Sequence, residues 1–203
     1  MKILDNNLGN DVHFLWALSK DFGSSGFRVG VLYTQNQLLN SAIGNLNIFA
    51  AVSHPMQAVV ANLLDDDVFV DELLDTSRGL VTQSYGIVTG ALEELNIPYV
   101  KAQAGIFVHA DFSSLLEEAT FESEDKFASL VIENARIVMT PGHCQRESKP
   151  GWFRICYAWV QADVLELAMA RLKRLILDLK ENGWEDKGIG QRNYFDFTRI
   201  EQL

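Results

Sequence analysis

Lys20 and Arg28 stand eight residues apart in Ser19-Lys20-Asp21-Phe22-Gly23-Ser24-Ser25-Gly26-Phe27-Arg28-Val29-Gly30, a glycine-punctuated stretch between two apolar runs. A positioned lysine amine condenses with carbonyl groups. Arginine offers a planar, permanently charged fork suited to a doubly charged phosphate. An amine and a guanidinium in fixed register around one turn therefore suit a cofactor held covalently at one end and through a phosphate at the other. The competing readings are a solvated lysine and a surface salt bridge. A third residue, Arg154, lies mid-strand with Trp152, Cys156 and Ala158 on its face and Phe153, Ile155, Tyr157 and Trp159 on the other. An arginine in a strand otherwise fit for burial calls for an anionic partner. That partner is either a structural carboxylate, such as Glu133 or Asp163, or a substrate carboxylate held bidentately. Asp21-Phe22-Gly23 spells a kinase metal-binding motif, but no glycine-rich loop or His-Arg-Asp accompanies it, and it reads as coincidence. His13, His54, His109 and His143 lack metal-ligand spacing, and His143 beside Cys144 reads as a loop residue, so no metal is expected.

Strands and helices alternate around these residues. The run Val12 to Leu18 reads as a buried strand that delivers Lys20 at its C-terminal end, and Phe27 to Tyr33 reads as a second strand with Arg28 at its start. Asn36 to Ile48 is a helix of modest quality, and Ser53 before Pro55 opens a short helix to Leu64. Asp65-Asp66-Asp67 caps a long helix on which Leu73, Leu80, Val81, Tyr85, Val88, Leu92 and Leu95 recur at helical spacing, up to Asn96 and Pro98. Then come a strand at Ile106 to Asp111, a helix from Ser123, and strands at Arg136 to Thr140 and Trp152 to Trp159. A last amphipathic helix stops at Asn182-Gly183. The tail from Trp184 carries Tyr194, Phe195 and Phe197 and is expected to dock on the rest.

The Ser-Lys-Asp-Phe-Gly stretch running into Gly26-Phe27-Arg28-Val29-Gly30 resembles the active-site lysine region of the fold-type-I, class I/II aminotransferases, in their 1-aminocyclopropane-1-carboxylate synthase-like branch. Pro150-Gly151-Trp152-Phe153-Arg154-Ile155-Cys156-Tyr157-Ala158 is similar to that branch's second motif. Ile97-Pro98-Tyr99, Ala104-Gly105-Ile106-Phe107 and Met139-Thr140-Pro141-Gly142 lie between them in the family's order. The resemblance implies pyridoxal 5'-phosphate as cofactor and an α-amino acid as substrate. Lys20 would be the catalytic, cofactor-binding lysine, Arg28 the phosphate ligand and Arg154 the holder of the substrate carboxylate. The family's hydroxyl three residues before the lysine is Ala17 here. Ser19 can take over its phosphate contact only in part, since neighbours in a strand point to opposite faces.

The family's other cofactor contacts precede the lysine by far more chain than is present, and Asp5, Asn6, Asn7, Asn10 and Asp11 do not form its patterns. The implied fold is therefore α/β, the C-terminal half of a pyridoxal-phosphate-dependent transferase: partial large-domain strands and helices in 1–66, a long interdomain helix over 67–96, an α+β small domain in 97–183, and a tail over 184–203. Transamination is the leading reaction. Elimination, as in the cyclopropane-forming synthases and related C–S lyases, is the first alternative, and a non-catalytic remnant or interaction module the second. A homo-oligomer, or completion by a partner chain, is expected. A chain of 203 residues with 48% hydrophobic and 22% charged residues is of globular composition, and a net charge of -10 disfavours nucleic acid as a partner. No apolar stretch approaches spanning length, so no membrane partner is expected. Two cysteines and no leader-like segment point to a reducing, cytoplasmic setting.

Overall fold

In the computed structural model, which describes residues 7–184, the run before Lys20 is strand only over Phe14–Ala17 (β1). The buried strand expected over Val12 to Leu18 is not buried, since Val12, Phe14 and Leu15 are exposed, and it stops one residue early because the chain folds back around Leu18. Its carbonyl accepts from the backbone N–H of Phe22 (3.3 Å) and of Ser24 (3.2 Å), and its side chain is buried. Leu18–Asp21 thus form a single helical turn (α1). A 3₁₀ turn over Ser25–Phe27 ends on Arg28 in the left-handed region (φ 55, ψ 37), and β2 begins only at Gly30 and runs to Tyr33. Arg28 therefore precedes the second strand rather than opening it, since a left-handed residue has no place in a strand. β1 and β2 pair antiparallel, Phe14 opposite Tyr33 and Ala17 opposite Gly30.

Asn36 caps α2 (Gln37–Leu46), its side-chain oxygen accepting from the Leu39 N–H at 3.0 Å. The helix expected to reach Ile48 instead tightens into a 3₁₀ turn over Asn47–Phe49. α3 (His54–Leu64) has Pro55 in its first turn, where a missing N–H costs nothing. Asp66 caps α4 (Asp67–Glu94) by accepting from the Phe69 N–H at 3.0 Å. The helix stops on Asn96 at φ 55, with Asn96 N–H donating to Glu93 O and Ile97 N–H to Leu92 O, a left-handed C-terminal cap followed at once by Pro98.

The chain divides into two compact units, 1–78 and 79–203, so the division falls inside α4. Among the described residues of the first, only Leu8, Leu18 and Val60 are buried apolar side chains, while Leu38, Ile48 and Phe49 are exposed.

The second unit holds an antiparallel sheet in the order β3-β4-β6-β5, built from Tyr99–Val100 (β3), Phe107–Asp111 (β4), Thr140–Pro141 (β5) and Trp152–Cys156 (β6). β5 is shorter than the expected Arg136 to Thr140 because Arg136 sits at φ 59, ending a π turn over Val131–Ala135. β6 ends at Cys156 rather than Trp159, with one further bond from Tyr157 N–H to Ile106 O. Helix α5 (Phe121–Leu130) starts two residues before Ser123 because Thr120 supplies the cap, its hydroxyl accepting from the Ser123 N–H. Helix α6 covers Ala162–Asn182 and stops at Gly183.

One face of this sheet, Val108, Ala110, Phe153 and Ile155, is buried with Val88 and Leu92 of α4, Phe127 and Leu130 of α5, and Leu172 and Ile176 of α6. The rings of Phe112, Phe127 and Phe153 meet pairwise at 5.5–5.6 Å. At about 1.5–3 kcal/mol for each fully buried apolar side chain, this face is what holds the unit together. The other face carries Phe107, His109, Trp152 and Arg154, all half-buried. Trp184 docks as expected of the tail's start, its indole N–H donating to Leu115 O at 3.0 Å; Tyr194, Phe195 and Phe197 lie outside the described residues.

Candidate functional site

Both cations of the first motif lie on the β1–β2 connection. Lys20 is in the exposed part of α1, not at a strand end, and Ser19 beside it is half-buried. The strand alternation expected to turn Ser19 away from Lys20 is absent, because both lie on one helical turn. The turn is tied down by its neighbours: Trp16 Nε1–H donates to Asp21 Oδ2 at 2.6 Å, and the Trp16 and Phe22 rings meet edge to face at 6.0 Å. Arg28 is exposed, and its NH1 donates to the Ser25 carbonyl at 3.1 Å, using one of the five donors of a guanidinium. This connection offers an amine, a guanidinium and serine hydroxyls within nine residues of chain. A 430 Å³ cleft of the same unit is lined by Val29 of the connection and Gly30 at the start of β2, with Ala50, Val52, Gln57 and Val60.

Arg154 of the second unit is placed by the sheet ladder, opposite His109 on β4 and Thr140 on β5. Its guanidinium carbon lies 4.4 Å from the centre of the Phe107 ring, and NH2 donates weakly to Thr140 Oγ1 at 3.4 Å. The Gln145 amide, oriented by the donors around it, accepts from Arg154 Nε at 3.0 Å and NH1 at 3.2 Å. Among the described residues none of the ion pairs includes Arg154, so neither Glu133 nor Asp163 serves as its salt-bridge partner. Asp163 instead accepts from the Val164 N–H at the start of α6.

Glu124, with no exposed side-chain surface, is the charged residue that sequence reasoning missed. Oε1 accepts from His143 N–H (3.1 Å) and lies 2.9 Å from Nδ1; Oε2 accepts from Gly151 N–H at 2.6 Å. One carboxylate thus ties both ends of the loop Gly142–Gly151 that leads into Arg154's strand. An acceptor-only carboxylate puts the imidazole proton on Nδ1, leaving Nε2 to face Cys144 Sγ at 3.4 Å. Asp125 Oδ1 is buried without a hydrogen-bond partner, 3.6 Å from His143 Nε2. Burial pushes the Asp125 carboxyl above its ordinary range, with His143 opposing and Glu124 adding to the rise. Burial likewise pushes the Cys144 thiol up, reinforced by Asp125 and Glu124. The sequence did carry a signal: Glu124 is three, four and seven residues before Phe127, Ala128 and Val131, a charge on the apolar stripe of α5. Among the described residues no group of His, Cys, Asp and Glu is arranged to hold a metal ion, and no helix is long and apolar enough to cross a membrane.

A family model described as "Aminotransferase class I and II" matches residues 4–172. The chain is 34% identical over 177 residues to a 1-aminocyclopropane-1-carboxylate synthase of Glycine max, covering 87% of this chain and 36% of the relative. It is 35% identical over 171 residues to 1-aminocyclopropane-1-carboxylate synthase-like protein 1 of Arabidopsis thaliana, covering 84% and 35%. The chain thus spans little more than a third of these relatives' length. Among solved structures, the aromatic aminotransferase of Pyrococcus horikoshii superposes with a TM-score of 0.72 at 22% identity, over 83% of this chain and 43% of that one. A variant of Thermus thermophilus aspartate aminotransferase gives 0.70 at 16%, over 82% and 44%. At these identities the likeness is one of fold: the described architecture is mixed α/β and corresponds to part of the aminotransferase fold.

Proposed function

Because the chain belongs to the aminotransferase class I and II family, in its 1-aminocyclopropane-1-carboxylate synthase-like branch, we propose that it supplies the lysine, phosphate-binding and carboxylate-binding parts of a pyridoxal-phosphate-dependent site acting on an α-amino acid. The observation that carries this reading is the pairing of Lys20 with Arg28 on one short connection of a chain with this family match. The residues present fit two ends of the cofactor: the Lys20 amine its aldehyde, and Arg28 with Ser19 its phosphate. By the resemblance, the residues that face its ring belong to the part of the relatives that this chain does not span. When bound, the cofactor supplies an electron-withdrawing ring that makes the Cα proton of an amino acid removable. Arg154 would hold the α-carboxylate, fixing which bond at Cα faces the cofactor. The Lys20 amine, once displaced by the substrate's own amine, would take and return the proton at Cα.

Transamination is the leading outcome. The second reading, elimination of a β- or γ-substituent, is favoured by the names of the relatives at 34–35% identity, one a 1-aminocyclopropane-1-carboxylate synthase and the other a synthase-like protein. The domain reading belongs to the same proposal, with 1–66 as large-domain residues, 67–96 as linking helix and 97–183 as small domain. So do a homo-oligomer, or a partner chain that completes the site, and a cytoplasmic location. Titrating pyridoxal 5'-phosphate into the full chain and following its absorbance tests the reading. Lys20→Ala should abolish the covalent component, and Arg28→Ala should weaken binding on the order of tenfold to a hundredfold. Binding unaffected by both substitutions would refute it.

A further inference from the structure

Arg154 is oriented by neutral groups. The Phe107 ring lies under its guanidinium carbon, the Thr140 hydroxyl touches NH2, and the Gln145 amide oxygen takes both Nε–H and NH1–H. These contacts use three of the five guanidinium donors and bring no negative charge to neutralise it. A carboxylate in the place of the Gln145 amide would orient the fork equally well but would neutralise it, and the site would be an internal ion pair. Gln145 owes its place to Glu124. It ends the 3₁₀ turn Gly142–Gln145, and the buried Glu124 fixes that turn through both the backbone and the ring of His143, two residues before Gln145. The turn cannot drift toward the sheet, because even a single Cβ on Gly142 would meet Trp152 O at 2.8 Å.

The geometry points to Gln145 as a positioning residue that holds Arg154 in its two-pronged orientation while keeping its charge available to an external carboxylate. This rests on the proposed reading of Arg154 as the substrate-carboxylate residue. It deepens that reading by naming the residue that decides whether the fork is open or self-neutralised. Gln145 is exposed, so its substitution should leave the fold and its melting temperature unchanged.

The test uses the full chain with ¹⁵N-labelled arginine, the Arg154 side-chain Nε–H signal being assigned by its loss in Arg154→Lys. In the wild type this proton should exchange with solvent more slowly than that of the exposed Arg146. Gln145→Ala should speed it at least tenfold, and Gln145→Glu should keep it slow. L-alanine, as the carboxylate probe, should shift the Arg154 signal in the wild type and in Gln145→Ala but not in Gln145→Glu. Exchange unchanged by Gln145→Ala, or as fast in the wild type as at Arg146, would overturn the positioning role whatever L-alanine does. A response to Gln145→Ala together with no L-alanine shift in the wild type would leave the positioning intact and instead refute the carboxylate role of Arg154. An L-alanine shift that persists in Gln145→Glu would overturn the claim that neutrality keeps the fork open.

Discussion

Replacing Glu124 by glutamine changes the chemistry of one buried group without changing its volume. The carboxylate accepts from His143 N–H, from the His143 ring and from Gly151 N–H, with both oxygens in use. An amide keeps one oxygen. If it faces His143, the new NH2 opposes the Gly151 N–H; if it faces Gly151, the NH2 opposes the His143 N–H. Either way one buried backbone donor is left without an acceptor, which costs about 1–3 kcal/mol, and the surviving bonds lose charge assistance worth roughly 1 kcal/mol each. Removing a charge from a fully buried position recovers part of this. The net destabilisation of Glu124→Gln is therefore about 2–4 kcal/mol, or roughly 4–16 °C in melting temperature for a chain of this size. Urea and thermal unfolding of the full chain, followed by tryptophan fluorescence, would read it. A midpoint within error of the wild type would refute the claim that this one carboxylate fastens the loop ahead of Arg154.

Other consequences concern neighbouring residues and the first unit. The folded pKa of Asp125 is raised above its unfolded value, so its favourable contribution is complete only below the ordinary aspartate range near pH ~4 and is lost as the pH rises through the raised value. Asp125→Asn, fixed in the neutral form, should therefore have a higher urea midpoint than the wild type at pH 7 and converge with it below about pH 4; a lower midpoint at pH 7 would contradict the sign. Gly151→Ala should cost at least ~3 kcal/mol, because the position has φ +101 and the added Cβ would sit 2.4 Å from Ser113 Cα, a backbone atom that cannot step aside. A melting temperature unchanged in Gly151→Ala would mean that the loop has another way to pass Ser113. Backbone amides of β1 and β2 should exchange on the order of a hundredfold faster than those of β4 and β6, since the first unit buries so few apolar side chains; equal protection measured by hydrogen exchange would show that the first unit is as well held as the second.

Where the sequence was legible, a local rule and the tertiary structure agreed. Asn36, Asn96 and Gly183 mark helix ends by their own capping or left-handed chemistry, whereas the cap at Thr120 was passed over in favour of Ser123. The alternation in Trp152–Cys156 grouped Arg154 with Trp152 and Cys156 and set Phe153 and Ile155 opposite, as found, because a strand's period is 2 whatever packs on it; which of the two faces is buried was not legible there. The Lys20 and Arg28 motifs were found, but not their backbone. An apolar run cannot announce that Leu18 will be wrapped by the N–H groups of Phe22 and Ser24, and nothing in Phe27-Arg28-Val29 marks Arg28 as left-handed. β3 escaped notice because two residues are too few to show a period. Gln145 and Glu124 were missed for a different reason: their partners are 9 and 19–27 residues away in sequence, and only the folded loop brings them together.

The proposal stands or falls on whether the Lys20 amine is where the cofactor attaches. Incubating the full chain with pyridoxal 5'-phosphate, reducing with borohydride and mapping the peptides reads this directly. The account predicts one dominant modified peptide carrying Lys20, with its yield sharply reduced in Arg28→Ala. Label spread over surface lysines such as Lys173 and Lys180, with Lys20 no more modified than they are and Arg28→Ala without effect, would contradict it.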